Sequence, residues 1–137
     1  MIAVIRIAGQ AGIRTDVEET LKRLNIHRKL TCTLVDSKDN KFNMVKSVRD
    51  FVTYGEISDE LVKQIILNRG ETLEGKKIAE KDVVKIIEGI KKGDWKIKKF
   101  FRLHPPRGSF KKSTKIAYPK GILGENKDIA KLIERML

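Results

Sequence analysis

Three short β-branched runs, IAVIRI (2–7), LTCTLVD (30–36) and FVTYGEI (51–57), are separated from one another by single segments of helical periodicity, and this alternation constrains the fold more than any other feature of the chain. The first intervening segment follows the loop AGQAG. It opens on Thr15 with Glu18 three residues later, the pattern of a capping box, and places Val17, Leu21 and Leu24 on one helical face before ending near Asn25. The second follows the polar turn SKDN (37–40) and puts Met44, Val45 and Val48 on one side over residues 43–50. The order is β-α-β-α-β. A unit of this kind lays its helices on one face of a small sheet, so residues 1–57 are expected to form a compact α+β sandwich.

Beyond residue 57 the pattern changes to an extension, residues 58–137. Ser58 is placed to cap a helix over about 59–69, with Leu61, Ile65 and Ile66 apolar and a stop at Asn68-Arg69-Gly70. Val83, Ile86, Ile87 and Ile90 form the stripe of another helix over about 80–92, ended by Gly93. WKIKKFFRL alternates as a strand does, HPPRGS cannot be regular structure, and KSTKIAY returns as a second arm, giving a basic aromatic hairpin over about 95–120. PKGILGEN is expected to be a turn-rich link. A last helix over about 127–136, capped by Asn126, turns Ile129, Leu132, Ile133 and Met136 inward.

Charge is distributed as unevenly as hydrophobicity. The chain of 137 residues carries a formal +12 at pH 7. Residues 1–57 hold ten bases and seven acids and residues 58–94 eight of each, whereas residues 95–137 hold twelve bases and three acids, so three quarters of the excess lies in the last third. Between Asp94 and Glu125 there are nine Lys and Arg and no acid. A solvated face ordinarily mixes signs, because one-sign fields repel themselves unless a partner screens them. The same window contains Trp95, Phe100, Phe101, Phe110 and Tyr118, and cations interleaved with rings serve a surface that neutralises phosphate and packs against bases or sugars. Phe100, Phe101 and Tyr118 are expected in the core; for Phe110, in a polar turn, a contact role and a core role stand equal.

The segment FFRLHPPRGSFKKSTK (100–115) concentrates these features. Two prolines fix φ at successive positions and lower the entropy a loop loses on binding. Arg102 and Arg107 offer planar forks for phosphate or for stacking, Lys111, Lys112 and Lys115 supply point charges, His104 can donate to a phosphate or a 2′-hydroxyl, and Phe110 can pack against a base.

Other chemistries find little support. GETLEGKK (70–77) spells most of a phosphate-binding loop, but Lys77 stands where Ser or Thr would reach Mg²⁺, Glu71 and Glu74 would face the phosphates, and a helix precedes it. Gly9 and Gly12 without a third glycine do not make a dinucleotide site. No His/Cys cluster for zinc and no paired nucleophile and base occur, so neither a cofactor, nor a metal, nor a small-molecule substrate, nor enzymatic activity is expected. Cys32 lies in an apolar stretch as a buried, inert thiol, which suits a reducing compartment. The opening MIAVIRIAGQAG lacks a basic n-region and is broken by Arg6, and no apolar run approaches a membrane span; the expected location is the cytoplasm, with no membrane partner.

IAVIRIAGQAGIRTDVEETLKRLNIHRKLTCTLVD, FNMVKSVRDFVTYGEIS and FRLHPPRGSFKKSTKIAYPKGILG together resemble the long, archaeal form of the large-subunit ribosomal protein L30 family, related to eukaryotic L7e. The resemblance spans nearly the whole chain. It implies a ferredoxin-like β-α-β-α-β core with a small antiparallel sheet, a C-terminal extension, and a structural role in the large ribosomal subunit. The implied partners are large-subunit rRNA, plausibly 5S rRNA as well, and neighbouring subunit proteins, with a monomer when free. It also places RNA-facing positions in the loop after the first strand (Gln10, Gly12, Arg14) and at the entry to the second (His27, Arg28, Lys29). For any one of these, a turn or solvated role is as good a reading as a contact. Basic side chains and free amides at strand and helix ends are suited to phosphate.

Overall fold

The computed structural model describes residues 1–36 and 40–137, so all of the SKDN turn except Asn40 lies outside the described residues. The elements are β1 (Ile2–Arg6), α1 (Thr15–Arg23), β2 (Thr31–Val35), α2 (Lys41–Ser47), β3 (Val52–Glu56), α3 (Asp59–Arg69), α4 (Glu80–Lys91), β4 (Phe101–Arg102), β5 (Ser113–Ala117), β6 (Gly121–Glu125) and α5 (Ile129–Glu134). One six-stranded sheet runs β4-β2-β1-β3-β6-β5. β1 is antiparallel to both β2 and β3, with Ile2 opposite Val35 and Glu56, which gives the antiparallel, ferredoxin-like core.

Period-two alternation sends β1 residues to opposite faces, and both faces are covered. Ile2 and Val4 pack with Val35, Val52 and Tyr54 against Leu21 of α1 and Leu24 at its C-terminal end, and against Val45 of α2 and Val48 at its C-terminal end. Ala3 and Ile5, with Cys32 and Leu34, pack against α3, α4 and α5 through residues such as Val62, Ile65, Ile87 and Ile133. The two inner helices therefore lie on one face, as their periodicity implies, and the extension supplies the other layer. Two-sided burial explains why IAVIRI is apolar almost without interruption. Ser58 Oγ accepts from the Leu61 amide at 3.4 Å, and Gly93, at φ +86°, stops the chain after α4.

Several expectations fail, each for a local reason. No hairpin forms over 95–120: β4 pairs with β2, Thr31 opposite Arg102, while β5 pairs with β6, so the two arms occupy opposite edges of the sheet. WKIKKFFRL buries Ile97, Phe101 and Leu103, but exposed Lys99 breaks the alternation and only Phe101–Arg102 forms a strand; Ile97 instead bridges to Thr72, and Lys98 Nζ pairs with Glu71 at 2.6 Å. GILGE, expected in a link, is β6, parallel to β3 and buried at Gly121, Ile122 and Leu123. Thr15 is not a cap. Arg14 takes the extended N-cap conformation and Thr15 is already helical, so no capping box forms, and Glu18 pairs with Lys22 at 2.9 Å. Asn126 accepts from the Asp128 amide at 2.9 Å, while Asp128 occupies the cap position of an α5 shorter than expected.

Candidate nucleic-acid interface

Arg6 organises the two core loops. Its backbone belongs to β1 and its side chain is 1% exposed, on the face covered by α1. The guanidinium donates to the carbonyls of Ala8 (3.1 Å), Gly9 (2.9 Å), Ile26 (3.2 Å) and His27 (2.6 Å). One planar fork thus ties the loop after β1 to the loop before β2. Gln10 Nε2 joins it by donating to the His27 carbonyl at 2.8 Å. Burial pushes the Arg6 pKa down from its ordinary value while the Glu18 carboxylate opposes this. Gly12, at φ +71°, takes a left-handed turn that an L side chain rarely adopts. Arg14, exposed, pairs with Asp16 at 2.9 Å, and Arg28 and Lys29 are exposed.

The same loop meets the extension. The Arg6 carbonyl accepts from the Leu30 amide at 2.8 Å and the Leu30 carbonyl from the Leu103 amide at 3.0 Å, which continues the β1-β2-β4 order past the strand ends. Arg102 consequently stands beside Thr31, and a cleft forms that is lined by Asn25, His27, Arg28, Thr31, Phe100 and Arg102. Phe100 is half-buried rather than in the core, with the Arg102 guanidinium carbon 5.9 Å from its ring centre, a cation–π distance. Phe101, one residue on, points to the opposite face and is fully buried.

The Pro-Pro loop is braced from the C-terminal helix. His104 donates its amide to the Met136 carbonyl at 3.0 Å, and the Arg107 amide to the Arg135 carbonyl at 2.9 Å. Arg135 returns the contact: its guanidinium donates to the Arg107 carbonyl at 2.7 and 3.0 Å and to the Ser109 carbonyl. Pro106 is buried, while the His104, Arg107 and Lys111 side chains are exposed. Phe110 packs partly against the core and lines a second cleft with Lys111, Lys112, Lys131 and Arg135 over Ile122 and Leu132. Lys112 lies 4.6 Å above the Tyr118 ring and 3.6 Å from Asp128, so Tyr118 too is half-buried. Lys115 is exposed on β5, at the sheet edge remote from Arg102.

The fold therefore unites Gln10 and His27 through shared carbonyl contacts, and His27, Arg28 and Arg102 in one cleft; it groups Phe110, Lys111 and Lys112 separately. Sequence reasoning missed Arg6 and Arg135, whose carbonyl partners, distant in sequence except for Ala8 and Gly9, leave no spacing signal, and Phe100 as an accessible ring.

Residues 2–52 match the profile of the family described as Ribosomal protein L30p/L7e. The chain is 39% identical to "Large ribosomal subunit protein uL30" of Methanococcus vannielii over 79% of each chain. It is 36% identical to the protein so named in Staphylothermus marinus over 100% of this chain and 98% of the relative, and 33% to that of Korarchaeum cryptofilum over 100% and 95%. The chain belongs to the ribosomal protein L30p/L7e family. Within this L30p/L7e member the profile covers Gln10, Gly12, Arg14, His27, Arg28 and Lys29 but stops short of residues 102–115, which the alignments spanning the whole chain include.

Proposed function

We propose that the chain is a structural constituent of the large ribosomal subunit that binds ribosomal RNA, acting in the cytoplasm by positioning rather than by catalysis, with neighbouring subunit proteins as further partners and a monomer when free. Family membership supports the assembly. The observation that carries RNA contact is the meeting of the Arg6-pinned loops with β4, which puts His27, Arg28, Phe100 and Arg102 around one cleft with no carboxylate among the described residues of its lining. Phosphate contacts fix position on an RNA while rings and hydrogen-bonding side chains read unpaired bases. The proposed contact set comprises Gln10, Gly12, Arg14, His27, Arg28 and Lys29 of the core together with Arg102, His104, Arg107, Phe110, Lys111, Lys112 and Lys115.

The test is binding of the full chain to large-subunit rRNA fragments, to 5S rRNA and to unrelated RNA of equal length across a salt series. A fragment retained at salt concentrations where unrelated RNA dissociates supports a specific rRNA site. Parallel loss of all RNAs contradicts one.

A further inference from the structure

We infer that the cleft between the α1–β2 loop and β4 holds a single unstacked nucleotide of the bound RNA, with Phe100 and Arg102 as its stacking surface. The inference rests on the rRNA-binding reading above and narrows it to one site and one ligand unit.

Four observations converge. The cleft encloses about 320 Å³, at the lower end of the range of small-ligand sites, roughly 300–1,000 Å³. Its lining provides each chemistry that an extruded nucleotide requires. Phe100 and the Arg102 guanidinium are planes on which a base stacks, Asn25 and Thr31 carry hydrogen-bonding groups for a base edge, and Arg28 and His27 provide donors for the phosphate or the 2′-hydroxyl. The backbone of the lining is held before any ligand arrives: the His27 carbonyl is fixed by Arg6 and Gln10, and the Arg102 backbone by β4 pairing with β2, while the Arg102 side chain rests over the Phe100 ring. Preorganisation of this kind lowers the ordering cost of binding. Finally, other clefts of the molecule carry carboxylates that disfavour a phosphate: Asp50 and Glu125 in the larger one beside Tyr54, Asp128 beside Phe110, Asp36 beside Trp95 and Glu18 beside Lys22.

Because the ring is uncharged, its contribution separates from that of phosphate neutralisation. Base–aromatic stacking of about 1–3 kcal/mol corresponds to a loss of roughly 5- to 150-fold in affinity. On the rRNA fragment that the wild type retains at highest salt, Phe100→Ala is expected to lose affinity within that range with an unchanged salt slope, and Phe100→Tyr to restore it. Arg28→Ala is expected to lower the slope by about 0.7–0.9. Phe100→Leu, which keeps an apolar side chain but no π face, covers the case in which the alanine variant folds poorly; thermal midpoints are recorded for all four. A wild-type chain that binds the fragment while Phe100→Ala and Phe100→Leu bind equally well overturns the nucleotide site and leaves the ribosomal reading intact. A wild-type chain that prefers no RNA overturns both. Adenosine and uridine monophosphates are titrated in parallel: tight binding of either, abolished by Phe100→Ala, would make the cleft a free-nucleotide site and overturn its assignment to RNA, whereas an absence of binding at millimolar concentration supports that assignment.

Discussion

Arg6 donates to four carbonyls from a position that β1 and α1 close to solvent; its removal takes the guanidinium donor from all four and leaves only the His27 carbonyl with a second side-chain donor, Gln10. Arg6→Met is expected to lower stability in urea unfolding by about 1–3 kcal/mol for each carbonyl that water cannot reach, with Arg6→Lys intermediate because an ammonium lacks the fork. The sequence marks Arg6 only as an interruption in an apolar run; its four acceptors become neighbours only when the loops close. Cys32 was more legible, since an apolar context alone predicts burial. Burial pushes its thiol up to about 12. The unfolded thiol ionises from about pH 9 while the folded one stays protonated, so this residue's contribution to stability is intact below pH 9 and declines as pH rises towards 12. The difference between wild type and Cys32→Ala across that window should decline with the same sign, and iodoacetamide at pH 8 should label Cys32 only as fast as the chain opens.

At the scale of elements, α5 sits on β3 because residue 55 has no side chain. A Cβ on Gly55 would run into the Asn126 carbonyl oxygen and lie 2.9 Å from Ile129 Cγ2. Gly55→Ala should therefore push α5 from the sheet and cost about 1–3 kcal/mol, measured by denaturant unfolding, whereas the same change at exposed Gly9, where nothing lies within 4 Å, should cost far less. Elements with a local signature were readable: the stripes of α1, α3 and α4, the Ser58 cap, and β1 to β3. Those defined by distant partners were not. β6 is five residues that include Gly121 and Gly124, and its parallel seat between β3 and β5 makes it a strand. β4 and β5 looked like two arms of one hairpin because they are close in sequence and both alternate, but each finds a better edge elsewhere, β2 for one and β6 for the other.

Taken as a whole, the molecule divides basic residues of the proposed contact set by its sheet order, with Arg28 and Arg102 at the β4 end and Lys111, Lys112 and Lys115 towards β5. The triple variant Arg107→Ala, Lys111→Ala and Lys112→Ala should lower the salt slope of RNA binding by about two to three with little change in thermal midpoint, because the ion pair of Lys112 with Asp128 is long, at 3.6 Å, and partly open to solvent. A large drop in midpoint would instead make the segment part of the packing. Charge excess and its location were legible from composition; their division between two edges was not, because it depends on how the sheet is ordered. That order also has a consequence for biosynthesis. β4 covers the outer side of β2, β6 that of β3, and α3 to α5 the second face of β1, so every element that completes the core is translated after it. At roughly 5–20 residues per second, the eighty residues after position 57 take about 4–16 s to appear. Throughout that interval the nascent chain has two open strand edges and an uncovered apolar face, so its hazard of mispairing is greatest before the last helix leaves the exit tunnel.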